Sequence, residues 1–273
     1  MKEKFKSLID RNRWLKAVPN SLTLCNSLCG FAAILYTLRV YERSSESTNV
    51  AIFAFSAWMI LFAMVFDALD GFAARIFNAA SMHGIQMDSL ADMVTFGVAP
   101  ATLVAIMTHS LRETMTHSQE IMVYLLCSIY LGCAALRLAT YNVHAILNKK
   151  SGDKFTGLPS PGAAAAVCSV VLFARQHAAA DFSRLVFALP IYAAVLGLLM
   201  VSHIPYAHFG KWLVSIRRNP RRFGLLAIML LAVFIFRADA LFVLVTLYVL
   251  SGPAMALIGM LRKTDIPREK EAR

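Results

Sequence analysis

Nine aspartates occur in the chain, and four of them, Asp67, Asp70, Asp88 and Asp92, fall within one stretch of otherwise apolar sequence. Carboxylates at membrane depth are costly and are kept for function. Asp67, Asp70, Gly71 and Ala74 recur at spacings that place them on one stripe of a helix. Asp88 and Asp92 are four apart, with Gly84 one turn earlier on the same face. The connection from Arg75 to Gly84 is short, so the two stripes belong to antiparallel neighbours and the four carboxylates converge. No Lys lies in any apolar run to neutralise them, and charges that close do not stay ionised alone. Hard divalent cations resolve the conflict. Carboxylate oxygens suit Mg²⁺ or Mn²⁺, and four of them fit two ions about 3.5–4 Å apart that clamp a phosphate. Gly71 and Ala74 are small enough for a phosphate to approach the helix backbone, and Arg75 adds a planar charged donor beside it. The chemistry expected is phosphoryl or phosphatidyl transfer. The alternative is a water-lined polar seam or ion path, as in a cation transporter.

The elements that position these groups are membrane helices. Of the 273 residues, 58% are hydrophobic and only 16% charged, against about 25% charged in an average soluble domain. This excludes a disordered chain, a disulfide-stapled secreted module and an ordinary soluble enzyme. The net charge of +11 does not indicate nucleic acid, because the basic residues sit between apolar runs rather than along a groove-facing patch. Cys25, Cys29, Cys127, Cys133 and Cys168 all lie inside apolar stretches as small core residues. Runs of about 20 apolar residues, enough to span a bilayer, occur near 20–38, 50–74, 86–108, 120–143, 160–180, 184–204, 223–236 and 240–261. The expected fold is therefore all-α, integral to the membrane, a polytopic bundle of about eight helices. The seventh is short, and 223–261 as a re-entrant hairpin would leave the topology unchanged. With the N-terminus in the cytoplasm, twenty Lys and Arg fall inside and six outside, with Arg137 within the fourth span. The positive-inside rule then places both termini and the Asp-rich rim in the cytoplasm.

Residues 1–19 mix basic side chains with Phe5, Leu8, Ile9, Trp14 and Leu15, which suits either an interfacial segment on anionic lipid or a solvated basic tail. They lack a small-residue cleavage site and do not read as a signal peptide. Gly157-Leu158-Pro159-Ser160-Pro161-Gly162 breaks the helix between the fourth and fifth spans. The exposed backbone there either lines a wet cavity or forms a tight turn.

The pattern D-x2-D-G-x2-A-R-x8-G-x3-D-x3-D, filled by Asp67, Asp70, Gly71, Ala74, Arg75, Gly84, Asp88 and Asp92, resembles the signature of the CDP-alcohol phosphotransferases. The resemblance implies a six-helix membrane core at 20–206, usually homodimeric. It implies an Mg²⁺- or Mn²⁺-dependent enzyme that replaces CMP on a CDP-linked lipid by an alcohol. Residues 207–273, a basic loop, two further helices and a short tail, carry no motif. Segments Pro19 to Phe31, Asp88 to Pro100, Leu136 to Val143, Phe155 to Ala164 and Met200 to Tyr206 resemble the phosphatidylserine synthases within that family. CDP-diacylglycerol and L-serine are then the expected substrates, in a bacterial-type inner membrane among its lipids. Many relatives carry Arg and Phe where Thr140 and Tyr141 stand here, which removes a cation near the expected acceptor pocket.

By that resemblance Asp67 and Asp88 bridge both ions, Asp70 and Asp92 complete one each, Asp92 also serves as base, and Arg75 holds a phosphate oxygen. Asn20 and Thr23 are placed to read the cytosine edge, with helix capping after Pro19 as the alternative. Arg137 is a lone intramembrane cation that needs an anion, from the protein or from an acceptor's carboxylate, and Asn142 adds an amide nearby. Phosphorylated acceptors such as glycerol phosphate or inositol phosphate would need more cations than Arg137; choline remains a further alternative acceptor.

Overall fold

A computed structural model describes residues 13–42, 46–77, 81–111, 115–147, 156–177, 182–206 and 237–264. Among them the chain is helical, and the only strand-like pairing is an isolated bridge between Thr156 and Pro205. Helix α1 spans Arg13–Leu38 and ends in a 3₁₀ turn, Arg39–Glu42. Next come α2, Glu46–Ile76, and α3, Met82–Asp92. The third span then passes through a π-helical stretch, Met93–Val98, into α4, Ala99–Ser110. Helices α5 (His117–Leu147), α6 (Ser160–His177), α7 (Phe182–Val201) and α8 (Ala238–Thr264) complete the described chain. Five spans are long and apolar enough to cross a membrane, and Val186–Val201 is a shorter apolar helix. The protein is an all-α polytopic membrane protein. The expected seventh span, 223–236, lies outside the described residues, so the count of eight is not established.

The bundle is sorted by side-chain size. Leu24, Leu28, Phe31 and Leu35 on α1 and Leu247 and Leu250 on α8 form exposed stripes at helical spacing, suited to acyl chains. Inside, Ala163, Ala164, Ala166 and Cys168 make α6 a buried, small-residue axis against which α2, α7 and α8 pack. Small residues let helix backbones come close where lipid supplies no hydrophobic drive between helices.

Two prolines shape the site's supports. Pro100 has no N–H to donate to the carbonyl of Phe96 four residues back, and its ring crowds that carbonyl. The chain answers with the π-helical stretch, in which the Ala99 N–H bonds Val94 O, and the buried Tyr130 hydroxyl donates to Phe96 O at 2.8 Å. At the other proline, α1 begins before Pro19 rather than after it. Asn20 is thus inside the helix and is not its cap, and residues 13–19 of the expected basic segment continue the first span.

The Gly157–Gly162 break is a closed junction, not a wet one. The Gly157 N–H donates to Ile204 O at 2.8 Å and the Leu158 N–H to Leu199 O at 3.0 Å. Gly157 has φ +89°, and an added Cβ would sit 3.0 Å from Ser202 O, so glycine is needed both for conformation and for space.

Candidate metal centre and active site

Helix α2 delivers Asp67 and Asp70 and helix α3 delivers Asp88, and one oxygen of each lies within 4.8 Å of the others. Asp70 is buried; Asp67 and Asp88 are half-buried. Asp88 Oδ1 is shielded from solvent and has no hydrogen-bond partner, an unfavourable state for an acceptor unless something electropositive meets it. Among the described residues, none of the four aspartates is ion-paired to Lys or Arg. An all-oxygen donor set with a stranded buried carboxylate oxygen fits a hard divalent cation. Asp92 stands outside this closest trio.

Helix α1 supplies the supports. The buried Thr23 hydroxyl donates to Asp70 Oδ2 at 2.8 Å, with Pro19 O as a second acceptor at 3.0 Å. Asn26, fully buried, donates from Nδ2 to Asp92 Oδ1 at 3.2 Å, while its own Oδ1 is buried without a partner. The register of α1 against the third span is fixed one turn on. Thr95 Oγ1 donates to Asn26 O at 3.0 Å, and Gly30 lies so close that a Cβ would fall 2.7 Å from Thr95 Cα. Thr23 thus bonds a carboxylate of the cluster, a partner additional to the nucleobase edge or helix cap expected from the sequence.

The remaining expected residues divide. A Cβ on Gly71 would meet nothing within 4 Å, so the chain's own packing does not explain the glycine and open space flanks the cluster. Ala74 is half-buried. Arg75 is exposed, its Nε bonded to Gly71 O at 2.8 Å. The Gly84 N–H donates to Ser81 Oγ at 3.0 Å, the N-cap of α3, and a Cβ there would lie 3.7 Å from Asn20 Oδ1. The second turn of α1 and the start of α3 thus meet at Asn20. Asn142 Oδ1 accepts from Ser89 Oγ at 2.8 Å, tying α5 to the helix that carries Asp88 and Asp92. Arg137 is half-buried; its Nη1 donates to the buried Ser160 Oγ at 3.0 Å and its Nε has no partner.

Sequence reasoning missed Asn26, Ser81, Ser89 and Ser160. Asn26 had a signal: Asn20, Thr23 and Asn26 are spaced three apart on one helix. Ser81 stands three residues before Gly84 as an N-cap would. Ser160 had none, since its role depends on where α5 passes α6.

The bundle and its carboxylate cluster define a polytopic membrane protein with an oxygen-donor site suited to divalent cations. Residues 16–203 match the family model for CDP-alcohol phosphatidyltransferase. A CDP-diacylglycerol–serine O-phosphatidyltransferase of Helicobacter pylori strain J99 is 31% identical over 236 residues, covering 86% of this chain and 88% of that protein. A protein of the same name from Bacillus subtilis is 32% identical over 196 residues, 71% of this chain and 92% of the relative. An archaetidylserine synthase of Methanothermobacter thermautotrophicus is 33% identical over 158 residues, 57% of this chain and 58% of the relative. The chain belongs to the CDP-alcohol phosphatidyltransferase family.

Proposed function

We propose that this protein transfers the phosphatidyl group of CDP-diacylglycerol to the hydroxyl of L-serine, releasing CMP. The observation that carries the reaction class is the convergence of Asp67, Asp70 and Asp88, with a stranded Asp88 oxygen, in a chain of this family. The names of the relatives support serine as acceptor. So does Arg137, whose Nε lacks a partner and whose guanidinium, within electrostatic reach of Asp92, forms no direct ion pair with an acidic side chain among the described residues.

Asp67, Asp70 and Asp88 would hold divalent ions, Mg²⁺ or Mn²⁺, with Asp92 completing a pair. Bound cations would neutralise the pyrophosphate and polarise its oxygens. The open space beside Gly71 admits the phosphate, and Arg75, exposed at the helix end with its Nε bonded to Gly71 O, holds a phosphate oxygen. Arg137 binds the serine carboxylate. The serine hydroxyl attacks the phosphorus attached to diacylglycerol, the bond from that phosphorus to the CMP oxygen breaks, and the hydroxyl proton passes to Asp92. Asn26 fixes Asp92 by one oxygen and leaves the other to accept. Positioning and charge neutralisation provide most of the catalysis.

In this reading Asn20, beside Gly84 at the rim, faces the nucleotide. The active site and both termini lie on the cytoplasmic side of a bacterial-type inner membrane, supported by the excess of Lys and Arg in the loops assigned to that side. The working unit is a homodimer, as the family resemblance implies.

The test is incorporation of labelled serine into lipid by the purified protein in detergent, with CDP-diacylglycerol and Mn²⁺. Serine is expected to label lipid while glycerol phosphate, inositol phosphate and choline do not. Transfer to one of those three with none to serine would overturn the acceptor assignment.

A further inference from the structure

The family match ends at residue 203, and α8 lies beyond it. Yet α8 packs closely on α6, whose Ser160 accepts a hydrogen bond from Arg137. Its far end is anchored by Gln176 Nε2 donating to Asp239 Oδ2 at 2.8 Å and by Phe173 stacked on Phe242 at 4.5 Å. Its middle carries Tyr248, half-buried between the exposed Leu247 and the buried Val249.

Tyr248 reaches the start of α6, two residues past Ser160, where a Cβ on Gly162 would lie 3.1 Å from its ring. The Tyr206 ring is 5.9 Å from that of Tyr248, its hydroxyl donates to Val249 O at 3.0 Å, and it covers Gly252, where a Cβ would overlap the ring. Two glycines thus admit two tyrosines at the junction of α6 and α8, where aliphatic contacts would suffice for simple packing. Tyr248 also lies within electrostatic reach of the Arg137 guanidinium. A tyrosine ring is rigid, with an apolar body and a polar edge, and suits a wall between lipid and a polar pocket.

We propose that α8 completes the acceptor pocket, with Tyr248 as a positioning residue. Its ring, wedged against Gly162, holds the Ser160 end of α6 so that Arg137 aims at the acceptor's carboxylate. This rests on Arg137 being the anion site of the proposed function.

The experiment uses the full chain in detergent, with KM values for serine and CDP-diacylglycerol, the serine-to-ethanolamine preference and a thermal melt for each variant. Tyr248→Ala is expected to raise the serine KM about tenfold or more and to shrink the preference over ethanolamine by a similar factor, since small misplacements of a positioning group are costly. The CDP-diacylglycerol KM is expected to stay within about twofold, because that substrate meets other groups. Tyr248→Phe keeps the ring and stays within about threefold of native. Tyr248→Leu, with retained bulk but no ring, reports the same loss if the Ala variant does not fold, and Leu247→Ala on the lipid face is the neutral control. If the Ala and Leu variants keep native serine KM and preference, or raise both KM values together with a lowered melt, the inference is overturned while the function stands. A native enzyme that uses another acceptor and never serine overturns both.

Discussion

Replacing Thr23 by Val tests whether α1 supports the metal centre or reads the nucleotide. The two side chains are nearly isosteric, so no cavity forms and the β-branch is kept. What disappears is the hydroxyl that donates to Asp70 Oδ2 at 2.8 Å. Thr23 is only 5% exposed, so water cannot readily take its place. A hydrogen bond to a charged group contributes about 1.5–3 kcal/mol. Expressed in full at the metal, that is a loss of roughly 10- to 150-fold in affinity at about 1.4 kcal/mol per decade. Removal of groups that orient a metal ligand costs about 10- to 100-fold. The assay is a Mn²⁺ titration of serine incorporation at saturating CDP-diacylglycerol. The activation midpoint is expected to rise by about 10- to 100-fold, with near-native kcat once metal saturates. Thr23→Ser, which restores the hydroxyl, recovers most of the shift. A native midpoint in the Val variant refutes the support role. If the KM for CDP-diacylglycerol rises instead, Thr23 faces the nucleotide.

Excess chelator is expected to abolish transfer and added Mg²⁺ or Mn²⁺ to restore it; turnover in EDTA would refute a metal centre built on Asp67, Asp70 and Asp88. Arg137→Met keeps bulk but removes charge, so the serine KM should rise by about tenfold or more with CDP-diacylglycerol binding unchanged, measured by steady-state kinetics and by binding of the lipid nucleotide. Asp92→Asn keeps the size but cannot take the serine proton; kcat is expected to fall by about 10²–10⁴ without rescue by high metal, and rescue would make Asp92 a ligand only. Gly30→Val brings a side chain into Thr95 and should lower stability by about 1–3 kcal/mol, read as a lower melting temperature in detergent.

The carboxylate cluster was legible because its geometry is local: helical spacing sets Asp67 with Asp70, and a short turn brings α3 back beside α2. The described spans were legible because a bilayer imposes length and apolarity on a helix, and their observed ends differ from expectation by a few residues except at α1, which begins at Arg13 rather than near residue 20. What a helix touches across the bundle was not. Thr23 was read as facing a nucleobase or capping the helix after Pro19, and its bond to Asp70 was not foreseen, because the rotation of α1 is set by the approach of Gly30 to Thr95, a packing fact. The Gly157 break was read as wet or tight, and only its partners on Leu199 and Ile204 decide between them. The π-helical stretch changes the period just after Asp92, so faces counted from Asp88 no longer extend into α4.

Pro100, Phe96 and Tyr130 have a consequence for how such a chain can change over generations. Exchange of Pro100 for Ala gives Phe96 O a donor within its own helix and makes the Tyr130 hydroxyl redundant. Exchange of Tyr130 for Phe while Pro100 remains strands a carbonyl in the bundle interior, at about 1–3 kcal/mol. The permitted path is therefore ordered: the proline leaves first and the tyrosine follows. Two positions thirty residues apart are inherited as one character, although neither touches substrate.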